Sequence, residues 1–326
     1  MYKRFYGLQR NPFEITPDPT FLFSTKRHNE ALAALYYGVR RRKGFVVVTG
    51  EVGTGKTLLV RCLLQLLNQS QVAYAYVFNP RLSPSEFLQY IVGDFGLPVS
   101  GKSKSELLLQ LGSFVISRYQ KGLSTVLVVD EAHHLSAEVL EEVRLLTNLE
   151  TPNEKLLQIL LVGQPELDDV LDSVKLRQLK QRIALRPRLE PLELSETEAY
   201  VYRRLQKAGC ADPAAIFPMD TILEIHQHSR GIPRLINTLC ETALIHGYAN
   251  QIRAITPPMI EEIAVDFRLN VVRPAPRDSQ LVDETSDVKQ AARTLLNLYS
   301  QLRRAEPSSE EMRMPLGRTR KNEPYI

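Results

Sequence analysis

At roughly 150 residues per domain, a chain of 326 residues has room for about two domains, one sizeable core and a smaller lobe. Its 41 lysines and arginines against 37 aspartates and glutamates leave a net charge of +4 on a 44% hydrophobic chain, so no acidic or basic extreme selects a partner. Cys62, Cys210 and Cys240 are odd in number, widely spaced and outside any CxxC pattern, which excludes a disulfide framework and a zinc ribbon and fits a reducing cytoplasm.

The N-terminus has basic residues but no apolar run behind them. No window reaches the ~18 unbroken apolar residues of a membrane span, so a soluble cytoplasmic protein is expected. Pro12, Pro17 and Pro19 among Phe5, Tyr6, Phe13, Phe21 and Phe23 predict an extended arm over residues 1–25 whose rings need a place to dock. From His28 to Arg42, Leu32, Leu35, Tyr36 and Val39 fall at helical spacing, and after Gly44 the run Phe45-Val-Val-Val-Thr49 suits a buried parallel strand. A glycine-rich turn and a helix (Leu58 to Leu67) follow, then a strand (Val72 to Phe78) and a helix (Pro84 to Phe95) with Ser83 as N-cap. Next come a helix (Ser103 to Lys121), a strand (Thr125 to Asp130), a helix (Ala137 to Leu149) and a strand (Leu156 to Gly163). This alternation predicts an α/β domain over residues 26–192 with a parallel sheet covered on both faces.

Past Pro191 the strands stop. Glu196 to Ala208, Met219 to Ser229, Leu235 to Gly247 and Pro258 to Phe267 read as helices of a small α lobe, residues 193–268. Residues 269–285 are proline-broken and polar, a linker by composition. Residues 286–305 form an amphipathic segment with a stripe of Val288, Ala292, Leu295, Tyr299 and Leu302, which either docks on the body or meets another chain. The tail 306–326 is expected to be disordered.

The sharpest motif is Gly50-Glu-Val-Gly-Thr-Gly-Lys-Thr57, which fits GxxxxGK[ST] between a predicted strand and a predicted helix. Its glycines let backbone N–H groups turn in around phosphate, the helix presents its positive end, Lys56 neutralises the outer phosphates and Thr57 offers a hydroxyl to Mg²⁺. The ATP-binding set is Gly50, Glu51, Val52, Gly53, Thr54, Gly55, Lys56, Thr57 and Leu58. About seventy residues on, the aliphatic strand ends in Asp130-Glu131, two carboxylates at the edge where a doubly wound sheet binds ligands. Asp130 suits Mg²⁺, and Glu131 suits the general base that polarises water. Gln164 ends the next strand, to touch the γ-phosphate or orient the water, or else as a plain strand-end cap. Arg234 of Gly231-Ile-Pro-Arg234 either reaches back across the domain cleft or is a surface arginine. Arg177 and Arg182 are candidate arginine fingers toward a neighbouring subunit, or solvated helix charges, with Arg182 favoured. His133 and His134 lack third and fourth ligands for a metal and are expected at an interface or in solvent.

Together these pieces resemble the AAA+ ATPases. Phe5-Tyr-Gly7-Leu8, Asn11-Pro12-Phe13, Pro17-Asp-Pro19, Phe21-Leu-Phe23, His28 and Glu30-Ala-Leu32, with VDEAHHL, LVGQPEL, LKQRI and GIPRLIN, are similar to the general secretion pathway protein A (ExeA-type) branch. The resemblance covers residues 1 to about 267. It implies strand order 5-1-4-3-2, an α-helical lid, and a homo-oligomer with ATP between subunits. By resemblance, Lys56 is the phosphate-binding lysine, Thr57 and Asp130 are the Mg²⁺ residues, and Glu131 is the hydrolytic glutamate. Gln164 is then the γ-phosphate sensor, Arg182 the trans finger and Arg234 the second sensor.

Members of that branch continue into a membrane span and a peptidoglycan-binding domain, whereas this sequence ends in a polar tail, so direct work on peptidoglycan is not expected. The first functional reading is an ATP-driven assembly factor for an envelope export machine, cytoplasmic or peripheral at the inner membrane, with its partner on the C-terminal helix. The second is a DNA-bound regulator of the TniB, TnsC and MuB kind, for which Arg40-Arg-Arg-Lys43 and Arg318, Arg320 and Lys321 are the candidate phosphate contacts. Asp130-Glu-Ala-His133 also spells the DEAH of helicases, but GxPR stands where an arginine-rich helicase motif is required. A scaffold that binds ATP and barely turns it over is the fourth reading.

Overall fold

A computed structural model describes residues 2–14, 21, 23–68, 72–78 and 81–269; the linker, amphipathic segment and tail expected over 270–326 lie outside the described residues. The chain opens with α1 (Tyr2–Phe5) and α2 (Lys26–Arg40), then alternates through β1 (Phe45–Gly50), α3 (Lys56–Asn68), β2 (Ala73–Val77), α4 (Pro84–Asp94), α5 (Lys104–Gln120), β3 (Thr125–Val129), α6 (Ala137–Leu146) and β4 (Leu157–Gly163). Two short helices, α7 (Glu166–Leu171) and α8 (Arg177–Lys180), precede β5 (Arg188–Leu189). The strands are parallel in the order β2-β3-β4-β1-β5, the order that the resemblance implied.

Side-chain alternation assigns each strand residue to one of two cores. Phe45, Val47, Leu127, Val129, Ile159 and Leu161 pack on the face covered by α4 to α8. Val46, Val48, Val126, Val128, Leu160 and Val162 pack on the other, against α2 and α3. Burial on both faces explains why these strands read as unbroken aliphatic runs. Ser83 and Ser103 each close a capping box with the glutamate three residues on, Glu86 and Glu106, satisfying helix-start N–H groups that have no intrahelical partner.

The lobe consists of α9 (Leu194–Lys207), α10 (Pro213–Ile216), α11 (Met219–Ser229), α12 (Pro233–Ala249) and α13 (Pro257–Asp266). Its core takes in the N-terminal arm: Tyr2, Tyr6, Leu8 and Phe13 are buried with Val201, Leu239 and Ile260, at roughly 1.5–3 kcal/mol for each large side chain fully withdrawn from water. The arm is not extended throughout. Residues 2–5 precede the first proline and turn once as α1, which lets Tyr2 donate to Glu241 at 2.7 Å and Tyr6 donate to the Ile252 carbonyl at 3.0 Å. Arg204 holds Pro12 and Glu14, donating to their carbonyls at 2.6 and 3.3 Å.

The junction between sheet and lobe turns on Gly231, at φ +73°, whose carbonyl accepts from Leu192 N–H at 2.8 Å. A Cβ at Gly231 falls 2.0 Å from the Leu192 carbonyl oxygen, an overlap that only backbone movement can relieve, in a conformation that already disfavours L side chains. Gly231→Ala is therefore expected to cost about 2–4 kcal/mol, roughly 5–10 °C in Tm. Thermal denaturation checks this, and an unchanged Tm counts against so close a junction.

Candidate nucleotide-binding and hydrolysis site

Because all five strands are parallel, β1, β3 and β4 deliver their C-terminal residues to one edge, and the register Thr49↔Gly163 and Val129↔Leu161 sets three chemistries side by side. The loop after β1 winds through Gly53, at φ +81°, before α3 begins at Lys56. Glu51 and Val52 turn their side chains to solvent and Leu58 is half-buried. Thr54 is buried and donates its hydroxyl to the Glu51 carbonyl at 2.8 Å. Lys56 is 6% exposed and donates to the Gly50 and Glu51 carbonyls at 2.8 and 2.9 Å. Burial lowers its pKa, outweighing the nearby Glu131 and Asp130, which raise it.

His28 braces this loop from α2. Its Nε2 meets the Thr54 carbonyl at 3.2 Å and its Nδ1 meets Thr25 Oγ1 at 2.8 Å. A carbonyl only accepts, so the proton sits on Nε2 and Nδ1 accepts from the hydroxyl. Burial lowers its pKa and favours that neutral ring.

Asp130 follows β3 and is 5% exposed. Its Oδ2 accepts from Thr57 Oγ1 and from Tyr76 OH, both at 2.8 Å, and its Oδ1 from Glu131 N–H at 2.9 Å. A carboxylate and a hydroxyl in contact beside a phosphate loop are the hard oxygen donors that Mg²⁺ takes, so this donor set fits that ion. Sequence reading missed Tyr76. Burial first, then Asp130, raises its phenol pKa, keeping it a hydrogen-bond donor. Its signal was the alternation Ala73-Tyr-Ala-Tyr-Val77, which puts Tyr76 on the α2 and α3 side.

Glu131 takes the left-handed conformation (φ 52°, ψ 35°), uncommon outside glycine and a form of strain found at functional sites. That turn ends the strand and leaves the side chain 44% exposed. Its Oε2 accepts from Gln164 Nε2 at 3.4 Å and lies 3.6 Å from His133 Nε2. His133 corrects the expectation of a solvent or interface histidine, since its side chain is only 7% exposed; His134 beside it is exposed, the rings 4.0 Å apart. Ligand atoms of Glu131, His133 and His134 lie within 4.8 Å of one another, but His133 Nδ1 accepts from Gln164 N–H at 3.4 Å. The ring proton is then on Nε2, the atom facing Glu131, which opposes metal ligation there.

From the lobe, Arg234 N–H donates to the Gly53 carbonyl at 3.3 Å, and a Cβ at Gly53 would fall 2.7 Å from Arg234 Cβ. The start of α12 thus rests on the phosphate loop, with the Arg234 side chain exposed. The structure does not bring the two candidate fingers to this cluster. Arg182 donates to the Arg144 carbonyl (3.1 Å), Asn148 Oδ1 (2.6 Å) and Thr147 Oγ1, and Leu185 bridges Val46 at the opposite edge of the sheet. Arg177 is exposed.

Residues 39–171 match the AAA domain family. General secretion pathway protein A of Aeromonas hydrophila is 47% identical over 250 residues, 76% of this chain and 45% of that protein, so the match spans less than half the length of this relative. Two solved structures share the fold at 18% identity. The ORC2 protein of Aeropyrum pernix in its ADP form has a TM-score of 0.59 over 81% of this chain and 75% of its own. Drosophila ORC bound to DNA also has a TM-score of 0.59, over 89% and 77%. Among the described residues no helix is long and apolar enough to cross a membrane.

Proposed function

The chain belongs to the AAA+ family as a relative of general secretion pathway protein A, and from that premise we propose that it hydrolyses Mg-ATP between subunits to drive assembly or remodelling of an envelope export system from the cytoplasmic side. The observation that carries this reading is the convergence of Thr57, Asp130, Glu131 and Gln164 on one sheet edge beside Lys56. Lys56 and the loop N–H groups grip the phosphates, with Mg²⁺ held by Thr57 and Asp130 to neutralise phosphate charge. Glu131 takes the proton of the attacking water, and Gln164 fixes the position of that carboxylate through its amide. Arg234 sits where a change at the phosphates alters the angle of α12, since its backbone already bonds to Gly53.

The bonds that Arg182 makes to the end of α6 fix a guanidinium at a surface that a second subunit can offer to its neighbour's phosphates. Mixing two inactive proteins tests this arrangement. Glu131→Gln subunits keep the arginine and Arg182→Ala subunits keep the base, so mixing is expected to regenerate turnover at hybrid interfaces. No recovery in oligomers that demonstrably contain both removes Arg182 from the trans role and leaves Arg177 to be tried in the same way.

The structure gives the DNA reading no comparable support. Of the basic run, Arg40 donates to Tyr36 OH, Arg42 is held by the Leu123 carbonyl and Glu154, and Lys43 lies over the Tyr37 ring, while Arg41 is exposed; Arg318, Arg320 and Lys321 lie outside the described residues.

A further inference from the structure

We infer that His133 is a positioning residue for Glu131: its ring reads the backbone at the end of β4 through Nδ1 and orients the Glu131 carboxylate through Nε2–H. The inference rests on the hydrolytic role of Glu131 proposed above. Three contacts close a small ring of groups at the tip of β3 and β4. Gln164 N–H donates to His133 Nδ1 at 3.4 Å, His133 Nε2 faces Glu131 Oε2 at 3.6 Å, and Gln164 Nε2 donates to the same oxygen at 3.4 Å. A backbone N–H can only donate, so Nδ1 must accept and the neutral ring carries its proton on Nε2. Burial, then the neighbouring His134, lowers the His133 pKa, which favours that neutral ring.

Gln164 Nε2 donates to Oε2 and His133 Nε2–H faces the same oxygen from 3.6 Å, which leaves Oε1 of the carboxylate to take the proton of water. Such contacts are long in a ligand-free arrangement and tighten as charge develops. Glu131 needs this help more than an ordinary side chain. It is nearly half exposed on a left-handed residue, so its own backbone does not confine the carboxylate. The backbone at His133 packs directly on the end of β4: a Cβ added at Gly163 would stand 3.3 Å from His133 N.

The side-chain amide of glutamine places its nitrogen near the position of histidine Nε2, whereas that of asparagine reaches only the Nδ1 position. His133→Gln is therefore expected to keep kcat within about threefold, while His133→Asn and His133→Ala lose about tenfold or more, the effect of a hydrogen bond to a charged group. KM for ATP, nucleotide affinity and Tm should stay at wild-type values in the Gln and Asn variants. In the Glu131→Gln background, His133→Ala should lower the residual single-turnover rate no further, because the residue acts through Glu131. Wild-type kcat in His133→Ala, equal losses in the Gln and Asn variants, a loss that appears in KM, or a full further loss in the Glu131→Gln background each overturns the inference. Undiminished turnover by Glu131→Gln alone would instead remove the hydrolytic reading beneath it.

Discussion

Glu131→Gln should leave a protein that holds ATP as tightly as the wild type and hardly turns it over, with kcat lower by about 10²–10⁴, the span attributed to a positioned general base. The amide keeps the shape of the side chain but cannot take a proton. Because Asp130, Thr57 and Tyr76 are bonded among themselves without the Glu131 side chain, the metal-binding pair should survive the change, and nucleotide affinity should stay within about threefold. Phosphate release and equilibrium binding measured on one preparation separate the two effects. If kcat is unchanged, the base lies elsewhere. If affinity falls with kcat, Glu131 is part of the binding cradle and the division of labour between the adjacent carboxylates is wrong.

Lys56→Ala should act on the other half of the site, weakening ATP binding by about 30-fold or more, as expected when a charge-assisted contact to phosphate is lost. A second cost accompanies it. The Lys56 ammonium is also what bonds the Gly50 and Glu51 carbonyls, so the loop loses an internal brace along with its charge. Thermal denaturation of the variant without nucleotide isolates that structural share. An affinity within threefold of wild type would mean that the loop grips its ligand through N–H groups alone.

Much of this architecture could be read from residues. The aliphatic runs from Phe45 and Thr125 announced buried strands because burial on both faces leaves no polar positions to confuse the period. Ser83 announced its helix because its hydroxyl accepts from Glu86 N–H. The phosphate loop and the Asp130-Glu131 pair stood out because local spacing dictates their chemistry. What escaped was whatever depends on meetings across sequence. Strand β5 has two residues, Arg188 and Leu189, too few for any period, and came only from the order that the resemblance implied. Tyr76 reaches Asp130 from 54 positions away, and only the pairing of β2 with β3 makes them neighbours. His133 looked like a surface residue because a loop histidine gives no sign that the end of β4 will cover it. The arm showed aromatic rings needing a dock, but not that Arg204 would hold two of its carbonyls.

Titration of the purified wild-type protein with ATP in the presence of Mg²⁺, alongside Lys56→Ala, tests the central claim most directly. A saturable site near one nucleotide per chain, with a Kd below about a millimolar and weakened at least 30-fold in the variant, is the predicted result. No saturable uptake by the wild type at millimolar nucleotide, or the same curve for both proteins, would contradict it.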